Sequence, residues 1–460
     1  MRPRPIHLVG VGGAGMSGLA RLAADAGYRV SGTDREDGPA LAALRSAGVA
    51  ARAGHRAEAL PGDVEAVVVS TAVPDDNPEV VEARRRGLPL LHRAAFLDEL
   101  MSGRRGIAVA GAHGKSTTSA MLALALGDAT ACVGATTVAG SGTGGAWGAG
   151  PWFVAEADES DRSLLALHPE AALLLNVDHD HHATFASIDE VEDVFREFVG
   201  GLPPDGVLVV GPDARARRCA EVARCRVLTV GGDDPDLAVE AGDGAASLVD
   251  RDGRRFPLRL SLPGRHNQDN AACAAAMAAW CGVPLGTAAE RLEAFTGVGR
   301  RFEDRGEAAG VRVVDDYAHH PAEVAATLAA ARETGHARVI AVFQPHLYSR
   351  TREMAGQLGA ALAAADAVVV TEIYAAREQP EPGVSGRLVA DAVPAGVPVR
   401  FAATLAEAVD AALELARPGD LVLTLGAGDI TLLGEELLAR MGKGSPDGHG
   451  DHGGARDLSG

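Results

Sequence analysis

The sequence predicts an α/β protein made of parallel sheets covered by helices, and three observations carry that prediction. Short apolar runs alternate with Ala- and Leu-rich amphipathic stretches nearly from end to end, the pattern of strands buried on both faces and of the helices that bury them. Two of the strand-like runs pass directly into glycine loops that open helices, at Gly10 and at Gly111, as phosphate-binding turns of α/β sheets do. With 460 residues, the chain exceeds what one ordinary core accommodates, so two or three domains are expected.

Taken in order, the elements group into three sections. Residues 1–104 open with a strand at 6–9 and continue through strands at 29–31 and 66–69. Residues 105–298 open with a strand at 106–110 and hold further strands at 152–155, 171–175 and 207–210. A polar, turn-rich stretch at 233–262 suggests a few antiparallel strands, and an alanine-rich helix follows at 270–280. Residues 299–441 hold strands at 311–314, 339–342, 367–370 and 421–425. The stretch 442–460 is mostly Gly, Asp, His and Ser without apolar periodicity, which predicts a disordered tail.

Composition narrows the function. Hydrophobic residues at 47% and charged residues at 23% argue against global disorder. A net charge of -19 without a basic cluster argues against nucleic acid as a partner. Neither the N-terminal apolar run nor any later one has the length of a signal peptide or membrane helix. Five cysteines without CxxC spacing give no disulfide framework. A cytoplasmic protein that avoids membranes is the expectation. Lysine occurs only at Lys115 and Lys443, so Lys115 stands out chemically.

Lys115 lies in Gly111-Ala112-His113-Gly114-Lys115-Ser116-Thr117-Thr118, between a strand and a helical pattern at 119–126. Glycines there let backbone N–H groups converge on phosphate oxygens, the lysine supplies a point charge, and the following hydroxyl can hold magnesium. Val109 stands where the longer form of this loop has its first glycine. Glu156 and His181 each follow a strand-like run, so they would reach the same sheet edge as the loop and complete a metal site. The histidine cluster at 179–182 equally suits a transition metal. Gly10-Val11-Gly12-Gly13-Ala14-Gly15, with Asp34 after the next strand, is the chemistry of a pyrophosphate site, whether for NAD or for a UDP-linked substrate.

Between residues 6 and 438 the chain resembles the Mur ligase family. The motifs GVGGAGMSG (10–18), GAHGKSTT (111–118), EADESD (156–161), GRHNQDN (264–270), GRRF (299–302), DDYAHHP (315–321) and FQPHLYSR (343–350) follow in family order. The resemblance implies three domains: a Rossmann-like one for a UDP-substrate at 1–104, a central ATP-binding one at 105–298, and a Rossmann-like one for an amino acid at 299–441. It implies ATP-dependent amide formation between L-alanine and the lactyl carboxylate of UDP-N-acetylmuramic acid through an acyl phosphate, by a monomer or homodimer. Recycling of a whole murein peptide onto the same sugar is the alternative.

Family motifs place Gly12, Gly13, Ala14, Gly15, Met16, Ser17, Asp34 and Ser70 at the UDP-substrate. They place the loop from Gly111 through Thr117, with His266, Asn270, Arg301 and Asp316, at ATP, and Ser116, Glu156 and His181 at Mg2+. Lys115, Arg301, His346 and Arg350 would be the catalytic set, the last two facing the amino acid. Leu347 stands where some relatives carry arginine, leaving Arg350 as the carboxylate anchor. The carbamylated lysine of several relatives has no counterpart, since no lysine lies between Lys115 and Lys443.

Overall fold

The computed structural model describes residues 4–134, 144–180, 184–241, 246–376 and 378–443, and divides after residue 299 into two compact units. In the first unit, β1 (Pro5–Val9), β2 (Arg29–Asp34), β3 (Ala50–Ala53), β4 (Ala66–Val69) and β5 (Leu90–His92) form a parallel sheet in the order β3-β2-β1-β4-β5. The order reverses between β1 and β4, and crevices at such reversals lie beyond the carboxyl ends of the strands.

A second sheet in the same unit is built from β6 (Arg105–Ala110), β7 (Thr130–Cys132), β8 (Gly145–Ala146), β9 (Trp152–Glu156), β10 (Ala171–Leu174), β11 (Val207–Val210) and β12 (Arg226–Thr229). Its order is β12-β11-β10-β6-β9-β7-β8, parallel except for β8. The turn-rich stretch forms β13 (Leu237–Glu240), β14 (Ala246–Asp250) and β15 (Arg255–Leu258), an antiparallel meander as its composition suggests. The alanine-rich helix spans Arg265–Trp280, five residues longer than its apolar periodicity indicates. One cluster of buried side chains, among them Leu8, Phe96, Phe153 and Phe195, runs through both sheets' helical cover.

The second unit holds β16 (Glu303–Ala308), β17 (Val311–Asp316), β18 (Val339–Phe343), β19 (Ala367–Thr371), β20 (Val399–Ala402) and β21 (Leu421–Leu425) in the order β16-β17-β21-β18-β19-β20. Only β16 is antiparallel. Helices bury both faces of this sheet, giving two separate apolar clusters around Phe343 and around Val342. The last helix, Leu433–Lys443, continues past Met441, where the sequence pattern places the start of the tail. Among the described residues no helix is long and apolar enough to cross a membrane.

Candidate active site

The phosphate loop leaves β6 at Gly111, and the helix Lys115–Leu126 begins four residues earlier than its apolar periodicity indicates. Ser116, Thr117 and Thr118 are poor helix formers in an interior but suit a first turn, where backbone N–H groups have no intrahelical acceptor. Gly114 caps the helix at φ +84, and a Cβ there would sit 2.9 Å from Asn270 Oδ1. Glycine alone satisfies both the left-handed backbone and the close approach.

Lys115 Nζ donates to the carbonyls of Gly111 (2.6 Å) and Ala112 (3.2 Å) and to Glu159, 2.8 Å from Oε2. Burial alone would depress the ammonium, but the charges of Glu159, Asp158 and Glu156 outweigh it and hold the pKa above its ordinary value. Asn176, just beyond β10, clips the loop: its Oδ1 accepts the His113 N–H at 2.8 Å and its Nδ2 donates to the His113 carbonyl at 3.0 Å. The Asn176 carbonyl also accepts the Ala112 N–H at 3.2 Å.

Adjacent strands β10, β6 and β9 therefore bring Asn176, the loop and Glu156 to one sheet edge. Glu156 Oε1 accepts the Gly134 N–H at 2.7 Å, while His181 lies outside the described residues. Beside the loop, a cavity of about 260 Å³ is lined by Asn176, Asp213, His266, Asp269 and Asn270. It brings His266 and Asn270 together.

In the first sheet, Gly10 and Val11 donate to the Thr33 carbonyl at 2.8 and 2.9 Å, and Gly12 N–H donates to Asp34 Oδ2 at 2.7 Å. A Cβ on Gly12 would meet Leu41 at 2.8 Å and Asp34 at 2.9 Å. Gly13 precedes the helix Ala14–Asp25, with Gly15 in its first turn and Met16 and Ser17 buried within it. Ser70 directly follows the neighbouring β4. The loop stands at a helix N-terminus where the strand order reverses, a position that suits an anion.

The second unit gathers its candidates at the carboxyl ends of β17, β21, β18 and β19. Arg350 is buried, and its Nη1 lies 3.4 Å from His346 Nδ1. His346 stacks on Tyr374 at 5.9 Å between ring centroids and meets His319 edge-on at 5.6 Å. Leu347 caps the helix Tyr348–Leu362 at φ +69, and Glu378 accepts the Ser349 N–H at 2.9 Å, fixing the turn that carries His346 and Arg350. Arg301 lies 3.6 Å from Glu323 and over the Tyr317 ring.

Asp316 turns inward: its oxygens accept Phe302 N–H at 2.7 Å and Ala318 N–H at 2.8 Å. Burial pushes its carboxyl up to about 6 against the pull of Arg301 and these two N–H groups. Within this unit it braces the GRRF and DDYAHHP motifs. Asn176, Glu159, Arg93 and Tyr374 carried no role in the sequence reading. Glu159 lies inside the EADESD motif, but nothing local marks the partners that it and Asn176 find.

Such a site, on parallel sheets that present a phosphate loop and a nucleotide crevice at their carboxyl edges, defines a nucleotide-dependent enzyme of the α/β class. Three family models match successive stretches: "Mur ligase family, catalytic domain" over residues 5–105, "Mur ligase middle domain" over 152–278 and "Mur ligase, glutamate ligase domain" over 300–428. The chain belongs to the Mur ligase family. It is 48% identical over 447 residues to the UDP-N-acetylmuramate--L-alanine ligase of Rubrobacter xylanophilus, covering 95% of this chain and 100% of that protein. Against the Streptomyces coelicolor enzyme of the same name it is 44% identical, covering 95% and 97%. The crystal structure of the Thermotoga maritima UDP-N-acetylmuramate-alanine ligase aligns with a TM-score of 0.80 at 27% identity, over 96% of this chain and 100% of that one. A murein peptide ligase from Psychrobacter arcticus aligns at 0.70 and 25%, covering 95% and 98%.

Proposed function

We propose that the chain ligates L-alanine to the lactyl carboxylate of UDP-N-acetylmuramic acid at the expense of ATP, as a cytoplasmic step of peptidoglycan precursor synthesis. The observation that carries this reading is the near-full-length identity to enzymes of that name, 48% over 95% of the chain in one case. The recycling alternative has no observation of its own, and the peptide ligase fits less well than the alanine ligase, at 0.70 against 0.80.

The reading assigns the UDP-substrate to residues 1–104, ATP to 105–298 and the amino acid to 299–441. A lactyl oxygen attacks the γ-phosphorus, ADP leaves, and an acyl phosphate results. The alanine amine then attacks the acyl carbon, and the tetrahedral species expels phosphate. Lys115 faces the β- and γ-oxygens in exchange for Glu159, neutralising charge as it develops, and Arg301 meets the transferring phosphoryl group. His266 and Asn270 hold adenine, with Asp316 keeping the GRRF turn in place. Gly12, Gly13, Ala14, Gly15, Met16, Ser17, Asp34 and Ser70 hold the UDP moiety.

Arg350 grips the alanine carboxylate, because a buried guanidinium fork matches it in two hydrogen bonds, and His346 orients that fork. Ser116 and Glu156 offer the hard oxygen donors that suit Mg2+, and His181 is proposed with them. When bound there, the ion neutralises phosphate charge. Phosphate release with ATP, magnesium and UDP-N-acetylmuramic acid tests the reading. Release that depends on free L-alanine supports it, whereas release that depends on a murein peptide moves the function to recycling.

A further inference from the structure

The acidic loop after β9 faces two cations at once. Glu159 holds Lys115 of the phosphate loop at 2.8 Å. On either side of it, Asp158 and Asp161 reach across to the first sheet's domain. Asp158 pairs with Arg93 Nη2, and Asp161 accepts the Thr71 hydroxyl at 3.2 Å and lies 3.8 Å from the same guanidinium. His92 Nε2 is a further 3.6 Å neighbour of Asp161. Arg93 and Asp158 are partly covered, with 25% and 32% of their side chains exposed. Both carboxyls are held below their ordinary values despite burial: Asp158 by the charges of Lys115 and Arg93, Asp161 by the nearby His92 ring, the Ser163 N–H and the charge of Arg93.

The other face of Arg93 belongs to the glycine loop. A Cβ on Gly15 would sit 3.5 Å from Arg93 Nη1. One guanidinium therefore lies beside the first turn of the helix after the first glycine loop and, through Nη2, holds the loop that carries the partner of Lys115. It starts the helix Arg93–Met101 directly after β5, on a rigid element. A planar fork fixed at both ends transmits position better than a flexible ammonium would.

Resting on the function proposed above, we infer that Arg93 and Asp158 form a positioning clasp that sets the distance between the UDP-substrate's crevice and the phosphate loop, so that the lactyl carboxylate meets the γ-phosphate. Neither residue enters the chemistry. A clasp of this kind acts on the geometry of the ternary complex more than on either binary one, because each nucleotide has its own loop. Misplacement of about 1 Å costs rates on the order of 100-fold.

The test is Asp158→Asn in the full chain, which keeps size and removes the charge that fixes Nη2. Expected is a fall in kcat of roughly 10- to 100-fold, with dissociation constants for UDP-N-acetylmuramic acid alone and for ATP alone within about threefold of the parent. Arg93→Lys, with Asp158 intact, is expected to show the same split, and the double variant to be no slower than the slower single one, as for two residues acting through one contact. Should Asp158→Asn fail to fold, Arg93→Lys alone decides the question. A kcat within twofold of the parent, or losses in the binary constants as large as the loss in kcat, overturns the clasp. A parent protein that shows no alanine-dependent phosphate release overturns the functional reading instead, and the clasp with it.

Discussion

Gly114→Ala adds one methyl group to the phosphate loop, and the structure fixes what that methyl meets. The residue sits at φ +84, where an alanine is strained by about 1–2 kcal/mol. Its Cβ would stand 2.9 Å from Asn270 Oδ1 and 3.1 Å from Nδ2, closer than side chains approach, so the Asn270 amide must turn aside. Driving that amide off its rotamer costs about 0.5–1.5 kcal/mol, and misaligning its proposed hydrogen bond to adenine costs about 1 kcal/mol more. The loop escapes the strain only by leaving its phosphate-binding geometry, so binding has to restore that geometry. Together these effects come to about 2.5–4.5 kcal/mol, or roughly 60- to 2,000-fold weaker ATP binding at 1.4 kcal/mol per factor of ten. Calorimetric titration with a non-hydrolysable ATP analogue measures it, and UDP-N-acetylmuramic acid binding, expected within twofold of the parent, reports that the fold is intact. An ATP affinity within twofold of the parent would refute the reasoning.

Three further perturbations probe other parts of the account. Gly12→Ala, whose Cβ would press on Asp34 and Leu41, is expected to weaken the UDP-substrate at least tenfold and leave ATP binding unchanged, the reverse of Gly114→Ala in the same titrations. Arg350→Lys keeps the charge but loses the fork on a buried side chain, so the KM for L-alanine should rise about 10- to 100-fold, as loss of a charged hydrogen bond predicts; steady-state kinetics with an unchanged KM would count against the assignment. Asp316 has its carboxyl raised from 3.8 to about 6 by burial. Its contribution is full below the unfolded value and is lost as pH rises through the folded one. Thermal unfolding should therefore show the parent losing on the order of 1 kcal/mol more than Asp316→Asn between pH 5 and pH 7, and parallel curves would contradict this.

The interior of each sheet was legible in the sequence because its strands are buried on both faces and read as unbroken apolar runs. Residues 207–210 (VLVV) and 421–425 (LVLTL) show this, and both are buried throughout. The strands without such a signal sit mainly at sheet edges. β3 reads AARA and β16 reads EDRGEA, compositions that an edge tolerates because one side of the strand meets water. The early start of the Lys115–Leu126 helix has a related cause, since its first turn is the polar run Lys-Ser-Thr-Thr, which carries no apolar spacing.

For the site, the glycine loops were readable because their chemistry is contiguous. The contacts that hold those loops were not. Asn176 finds His113 across 63 residues, Glu159 finds Lys115 across 44 and Asp158 finds Arg93 across 65. No local pattern encodes such pairings. The motif reading places Asp316 at the nucleotide, and its sequence gives no sign that its carboxyl also accepts the backbone N–H groups of Phe302 and Ala318. That inward turn depends on how two distant segments pack.

The central claim is an amide bond made through an acyl phosphate, and oxygen-18 in the lactyl carboxylate of UDP-N-acetylmuramic acid tests it most directly. With ATP, magnesium and L-alanine, mass spectrometry should find one labelled oxygen in each phosphate released and the other in the alanylated product, with no label in ADP. Label absent from phosphate while the alanylated product accumulates, or phosphate released without any alanylated product, would contradict the account.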